Sequence, residues 1–228
     1  MSIKIENEKQ LAKFFDHTLL KAFATDDDLR ALCKDAKEMG TAMVAINSYP
    51  VSVCKEYLKD CDVHVGAAIA FPLGQTTIAS KVFEIKQAIE DGADEIDYVM
   101  NVGKVKAGQY DYIKEEMTQI VAACKAKNIL CKVIFENCYL TKEEIKEVAL
   151  IAKEVKPDFI KTSTGFGTGG ATLEDVALMV KTVDGACQVK AAGGIRDWAT
   201  CKQMIELGAT RIGTSSSREI LAGFLADQ

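Results

Sequence analysis

The stretch PDFIKTSTGFGTGGATLEDVALMVKTVDGACQVKAAGGIR, residues Pro157–Arg196, decides the fold. It reads as a short apolar strand, a glycine-rich turn, a helix, a second strand and a second glycine turn. Each strand carries one lysine, Lys161 and Lys190. Parallel strands covered on both faces should be almost wholly apolar. A buried lysine must be paired or give up its proton. Two lysines on successive strands therefore call for an interior that wants charge.

The same pattern extends toward the N-terminus. Asp97 lies in EIDYVM, and Lys132 and Glu136 lie in CKVIFE. Counted from Asp97, the charges at Lys132, Lys161 and Lys190 follow at intervals of 35, 29 and 29 residues, about one strand–helix unit each. With side chains alternating in and out, strands closed into a barrel would bring these four together inside. A buried ion network that only stabilises the fold is the alternative. Such networks seldom outperform apolar packing, which favours a chemical role.

Eight strands are expected, over Phe15–Thr18, Ala42–Ile46, Val63–Phe71, Glu95–Met100, Leu130–Glu136, Asp158–Thr162, Val189–Ala191 and Arg211–Gly213. Helical periodicity lies between them. Ile78, Val82, Ile85 and Ile89 form one apolar face within Thr77–Asp91. Thr25 with Asp28, Thr141 with Glu144 and Thr172 with Asp175 have the spacing of capping boxes. EMGTA, EDGAD and ELGAT, at Glu38, Glu90 and Glu206, repeat one helix-to-strand turn whose Gly suits the left-handed position that ends a helix. No Pro/Ser-rich linker divides the chain. The expectation is α/β, a (β/α)8 TIM barrel occupying residues 1–228 as a single domain, with a short N-terminal helix; a doubly wound sheet is the rival.

The 228 residues are 48% hydrophobic and 27% charged, and 28 Lys+Arg against 33 Asp+Glu give −5. A mildly acidic chain is a poor binder of nucleic acid or anionic membrane, and neither is expected as a partner. The longest apolar runs, such as Val65–Leu73, cannot span a bilayer, and MSIKIENEKQLAKFF lacks the apolar core of a signal peptide. A cytoplasmic protein is expected. None of the eight cysteines forms a C-x-x-C pair, and His17 and His64 are the only histidines, so no metal site is expected.

Paired buried lysines suit Schiff-base catalysis. Free lysine titrates near pH 10.4, so at neutral pH only about one in a few thousand is the nucleophilic amine. A neighbouring ammonium lowers that pKa. The amine attacks a carbonyl, the resulting iminium takes up electrons from an adjacent C–C bond, and a carboxylate such as Asp97 moves the protons. Three glycine or serine turns, TGFGTGG after Lys161, AAGGIR after Lys190 and GTSSSR from Gly213, are suited to an anion. In barrels the last two βα loops often hold phosphate. Gly165–Gly170 also satisfies G-x-G-x-x-G. It lies late in the chain, however, and its candidate acidic partner, Asp184, precedes the next strand instead of ending it, which argues against a dinucleotide site.

At DHTLLKAFAT (Asp16–Thr25), FPLG (Phe71–Gly74), GADEIDYVMNVG, CKVIFENCYLT, FIKTSTGFGTGGATLEDVALM, VKAAGGIR and RIGTSSS, nearly the whole chain resembles the deoxyribose-phosphate aldolases, class I aldolases of the (β/α)8 type. The resemblance implies reversible cleavage of 2-deoxyribose 5-phosphate to glyceraldehyde 3-phosphate and acetaldehyde. It implies that Lys161 forms the Schiff base, Lys190 lowers its pKa, Asp97 shuttles protons and Asp16 assists. Gly165, Gly193, Gly194, Ser215 and Ser216 would hold the phosphate, with no organic cofactor and no metal. A homodimer is the base-rate expectation for a soluble enzyme. VAINSYP departs from the family pattern with Ala45 for Cys and Ser48 for Pro, Ser217 stands where Gly is frequent, and the chain stops at FLADQ without a tyrosine-ended tail. The expectation is that catalysis survives these changes, that Ser217 stiffens a phosphate loop, and that the missing tail bears on turnover rate.

Overall fold

A computed structural model of the protein describes residues 5–228; the expected domain began at residue 1, and residues 1–4 lie outside the described residues. Eight strands, β1 (Phe15–Thr18), β2 (Met43–Asn47), β3 (His64–Ile69), β4 (Glu95–Val99), β5 (Leu130–Ile134), β6 (Phe159–Lys161), β7 (Gln188–Ala192) and β8 (Arg211–Thr214), close into a barrel in chain order. Every neighbouring pair is parallel, and β8 returns to β1 with Asp16 opposite Gly213. This is the (β/α)8 TIM barrel. The short N-terminal helix is α1 (Glu8–Ala12), capped by Asn7.

The connecting helices are α2 (Asp26–Met39), α3 (Val51–Leu58), α4 (Ile78–Glu90), α5 (Val102–Lys106), α6 (Tyr110–Lys125), α7 (Lys142–Val155), α8 (Leu173–Val183), α9 (Trp198–Glu206) and α10 (Ser217–Ala226). Thr25 and Thr141 form full capping boxes with Asp28 and Glu144. Thr172 caps α8 through the Asp175 N–H only, because the Asp175 carboxylate turns instead to Lys142. The repeated turn glycines all have left-handed backbone, at φ 70° for Gly40 and 105° for Gly92 and Gly208. A residue with a Cβ is strained there, so the repeat marks where each helix must stop.

Two strands end two residues earlier than expected, and every other bound falls within one residue of expectation. The expected third strand ends at Ile69, because Ala70 takes φ 50° and turns the chain. The fifth ends at Ile134, and Glu136 takes φ 57° ahead of a 3-10 turn. Both turns aim loops over the C-terminal mouth of the barrel.

Alternation along the strands sorts the interior from the outer layer. Val44, Ile46, Val65, Ile96, Tyr98, Val133, Ile160, Val189 and Ile212 join the helix side chains in one apolar cluster. Their neighbours Asp16, Asp97, Lys132, Lys161 and Lys190 point the other way and are buried inside the barrel. No helix among the described residues is long and apolar enough to cross a membrane.

Candidate active site

The strand register sets the site. Asp97 lies opposite Lys132, and Lys161 lies opposite Lys190. The barrel therefore brings three lysines, scattered along the chain, onto one carboxylate. Asp97 Oδ1 accepts from Lys132 Nζ at 2.7 Å. Its Oδ2 accepts from Lys161 Nζ at 2.9 Å and from Lys190 Nζ at 2.7 Å. The four charges spaced about one strand–helix unit apart converge, as their spacing predicts.

Asp16 joins one step further round. It ion-pairs with Lys190 through Oδ2, and its Oδ1 accepts from Arg211 Nη1 at 2.6 Å. It touches Lys190, whereas the contacts of Lys161 run through Asp97. Arg211 also reaches Glu95, at 3.3 Å, and Glu95 pairs with Lys132. The ions thus close a ring of alternating sign: Lys190, Asp16, Arg211, Glu95, Lys132, Asp97 and back to Lys190. Three cations balance three anions, and Lys161 hangs from Asp97 as the unmatched amine.

That arrangement accounts for the titration of Lys161. Burial disfavours its ammonium most, Asp97 opposes that, and Lys190 and then Lys132 add repulsion; the pKa falls to about 8. The expected influence of Lys190 is present but ranks behind desolvation. Burial pushes Asp97 up, but Lys132, Lys161 and Lys190 outweigh it and hold the carboxyl well below the usual range. Lys132 is destabilised by burial, yet Asp97, Glu95 and Asp16 raise its pKa above the ordinary lysine value. It is the fixed cation of the set.

Lys161 opens into a cleft of about 610 Å³ at the C-terminal mouth. Gly165, Gly193, Gly194 and Ser215 line it, together with Arg196 and Lys21. Ser216 is not on the lining; it precedes α10, where its N–H donates to Thr214 Oγ1 at 2.9 Å. Gly193 and Gly194 have φ 88° and 81°, and Ala171 N–H donates to the Gly193 carbonyl at 3.0 Å. A Cβ on Gly170 would sit 2.2 Å from that carbonyl oxygen, so the Lys161 and Lys190 loops pack together only because Gly170 has none. The N-terminus of α10 completes a surface of backbone donors suited to a dianion. Arg196 adds a full positive charge at the rim.

Glu136 serves the same loops. Its carboxylate accepts from Thr164 N–H at 3.1 Å and from the Thr164 hydroxyl. Ser217 is buried and hydrogen-bonded to His17 Nδ1 at 3.0 Å, so a serine at this position is held by a specific partner. Ser48 donates to Glu84 at 2.7 Å, and Glu84 also accepts from Ala70 N–H at 2.9 Å. The serine in place of proline thus braces the turn after β3.

Sequence reasoning missed Glu95, Arg211 and Arg196. Glu95 was recoverable, since it lies two residues before Asp97 and alternation places both on the inner face. Arg211 opens its strand at a position that reads equally well as a solvated end. Gly213 was read as the start of an anion turn, and its packing role was not. A Cβ there would lie 2.9 Å from Ala192 Cβ and 3.1 Å from Lys190 Cε, so the glycine leaves room for the Lys190 stem.

An eight-stranded parallel barrel with titratable groups at the base of a C-terminal cleft has the layout of a barrel enzyme. The profile of the DeoC/LacD family aldolases matches residues 10–223, and the chain belongs to that family. It is 56% identical over 209 residues to the deoxyribose-phosphate aldolase of Lactobacillus acidophilus, covering 92% of this chain and 88% of the relative. Among solved structures it is similar to QR15, described as an aldolase, with 40% identity, a TM-score of 0.89 and coverage of 94% and 96%. It is also similar to a deoxyribose phosphate aldolase from Aeropyrum pernix described as a unique tetramer, with 27% identity, a TM-score of 0.90 and coverage of 97% and 94%.

Proposed function

We propose that the protein is a deoxyribose-phosphate aldolase that reversibly cleaves 2-deoxyribose 5-phosphate to glyceraldehyde 3-phosphate and acetaldehyde, with Lys161 as the nucleophile. The observation that carries the assignment of Lys161 is its place as the one unmatched amine of the ring, open to a cleft whose loops and α10 N-terminus suit a phosphate.

The neutral Lys161 amine attacks the C1 aldehyde of the open-chain sugar phosphate. The carbinolamine loses water to give an iminium. The C3 hydroxyl then loses its proton, the C2–C3 bond breaks, and its electron pair enters the iminium to form an enamine. Glyceraldehyde 3-phosphate leaves. Protonation of C2 and hydrolysis release acetaldehyde and restore the amine. Asp97, whose Oδ2 lies 2.9 Å from Lys161 Nζ, carries the protons among these steps. Lys190 sits 2.7 Å from the same oxygen and disfavours the Lys161 ammonium. Asp16 assists by holding Lys190. Gly165, Gly193, Gly194 and Ser215 bind the phosphate, with Arg196 facing its charge, while Ser216, expected among them, lies off the cleft lining with its N–H on Thr214.

Borohydride trapping with 2-deoxyribose 5-phosphate or acetaldehyde, followed by intact and peptide mass measurement, tests this reading. A stable adduct on Lys161 is expected. A folded protein that binds the sugar phosphate and yields no adduct would instead be a binding-only barrel, and an adduct on another lysine would move the nucleophile. We take the assembly to be a homo-oligomer and the homodimer as its form; sedimentation separates this from the tetramer described for the Aeropyrum pernix relative. Eight free thiols suit a reducing compartment, and the cytoplasm is the proposed location.

A further inference from the structure

The half of the ion ring that faces away from the cleft has no part in the reaction as written. Glu95 begins β4 and Arg211 begins β8, so both lie deeper in the barrel than Asp97, and neither lines the cleft. Burying them is costly unless they contribute something that apolar side chains could not. Each has several partners. The Glu95 carboxylate meets Lys132, Arg211 and, at 2.8 Å, Nδ1 of His64, whose half-exposed ring lies at the N-terminal mouth. Arg211 spans Glu95 and Asp16.

We propose that Glu95 and Arg211 are positioning residues for the aldol reaction, acting through Lys132 and Asp16 to keep Asp97 Oδ2 on Lys161 and Lys190 and to keep the ring electrically neutral. The inference rests on the assignment of Lys161 as the nucleophile. Two features of the geometry support it. Lys132 bridges Glu95 below and one oxygen of Asp97 above, and this leaves the other Asp97 oxygen to the two upper lysines. Arg211 does the same on the other side, holding the Asp16 that holds Lys190.

Neutrality has a consequence that a purely structural role lacks. The charged groups facing Lys161 are Asp97 from β4, Lys132 from β5 and Lys190 from β7; β1 contributes Asp16 within the ring and His17 on the cleft wall, and Glu136 beyond β5 is taken by Thr164. Removing an anion from the ring makes a proton on Lys161 harder to keep, and removing a cation makes it easier. One unit charge about 10 Å away, at the effective dielectric of a protein interior, shifts a pKa by about one unit.

The experiment is the pH profile of kcat/KM for sugar-phosphate cleavage. Glu95→Gln should move the acid limb to lower pH by about one unit, and Arg211→Gln should move it to higher pH by a similar amount. The double variant should return it close to the parent. Because the phosphate turns are untouched, losses should fall on kcat and leave KM within about twofold. Limbs that stay put, or that shift in the same direction in both single variants, would overturn the proposal. Should the buried variants fail to fold, His64→Lys places a lasting cation on Glu95 from the open mouth. It should shift the limb in the direction of Glu95→Gln and by less, and an unmoved limb there would also overturn the proposal. Borohydride trapping of the parent keeps the two readings apart. An adduct on Lys161 with unmoved limbs rejects only this inference, whereas no adduct rejects the nucleophile itself.

Discussion

Two groups of buried charges in this protein are built differently. In the layer between barrel and helices, Lys81 of α4 and Glu116 of α6 form an isolated pair at 2.7 Å, both wholly buried. Lys81 also donates to the Val99 carbonyl at 2.7 Å, and Glu116 accepts from Asn101 N–H at 3.0 Å. Together they clamp the end of β4. Burial pushes Lys81 down and Glu116 up, toward their neutral forms, and each is only partly rescued by the other. Inside the barrel the opposite holds for Glu95 and Asp97, whose several cationic partners outweigh burial and hold them well below the carboxylate range. The outer pair is matched one to one and opens to no cleft. The inner group has one amine more than its ring can match, and that amine faces a cleft. The presence of buried charge alone therefore does not mark the chemistry here; the surplus and its access do.

Breaking the inner group at its surplus should have the largest effect on function. Lys161→Ala should lower turnover by at least about 10⁴-fold while leaving the thermal midpoint at or above the parent's, because it removes the least well-matched buried amine. Steady-state kinetics beside a thermal melt checks both halves. The parent's kcat/KM should rise with pH through about 8, since the reactive species is the neutral amine and Lys161 loses its proton there. Lys190→Leu should move that rise upward by about one unit, because Lys161 then keeps its proton longer. An unchanged profile would remove Lys190 from that role.

The outer pair should respond in stability instead. Lys81→Met alone leaves Glu116 buried without its partner and should cost about 3–5 kcal/mol in urea unfolding. Adding Glu116→Leu should recover most of that loss, and neither variant should move the pH profile. A profile that shifts with the outer pair would erase the distinction drawn here. The smallest effect is expected at Thr172, where Ala removes a cap on α8 and should cost about 1 kcal/mol.

Much of this was legible in the chain. The intervals between Asp97, Lys132, Lys161 and Lys190 gave both the barrel and the convergence of its charges, because alternation and a strand–helix repeat leave those residues little other place to go. The glycine turns that line the cleft were legible through their glycines. The Lys81–Glu116 clamp was not, since a lysine and a glutamate on two amphipathic helices look the same whether solvated or buried. Arg211 was hidden for a similar reason. The Asp175 carboxylate had the spacing of a capping box and went to Lys142, a competition between partners that local spacing cannot weigh.

The sequence by itself determined the order of elements, the helix stops at Gly40, Gly92 and Gly208, and which strand residues carry charge, because these depend on local backbone preference and on period-two alternation. Only the tertiary structure decided which charges meet. Barrel closure places Asp16 of β1 beside Lys190 of β7 and Arg211 of β8, and joins six ions into a neutral ring that leaves Lys161 over. That outcome depends on strand register and on distances of a few ångströms in a low-dielectric interior, where burial first, and repulsion from Lys190 and Lys132 after it, bring the Lys161 pKa down to about 8 against the pull of Asp97.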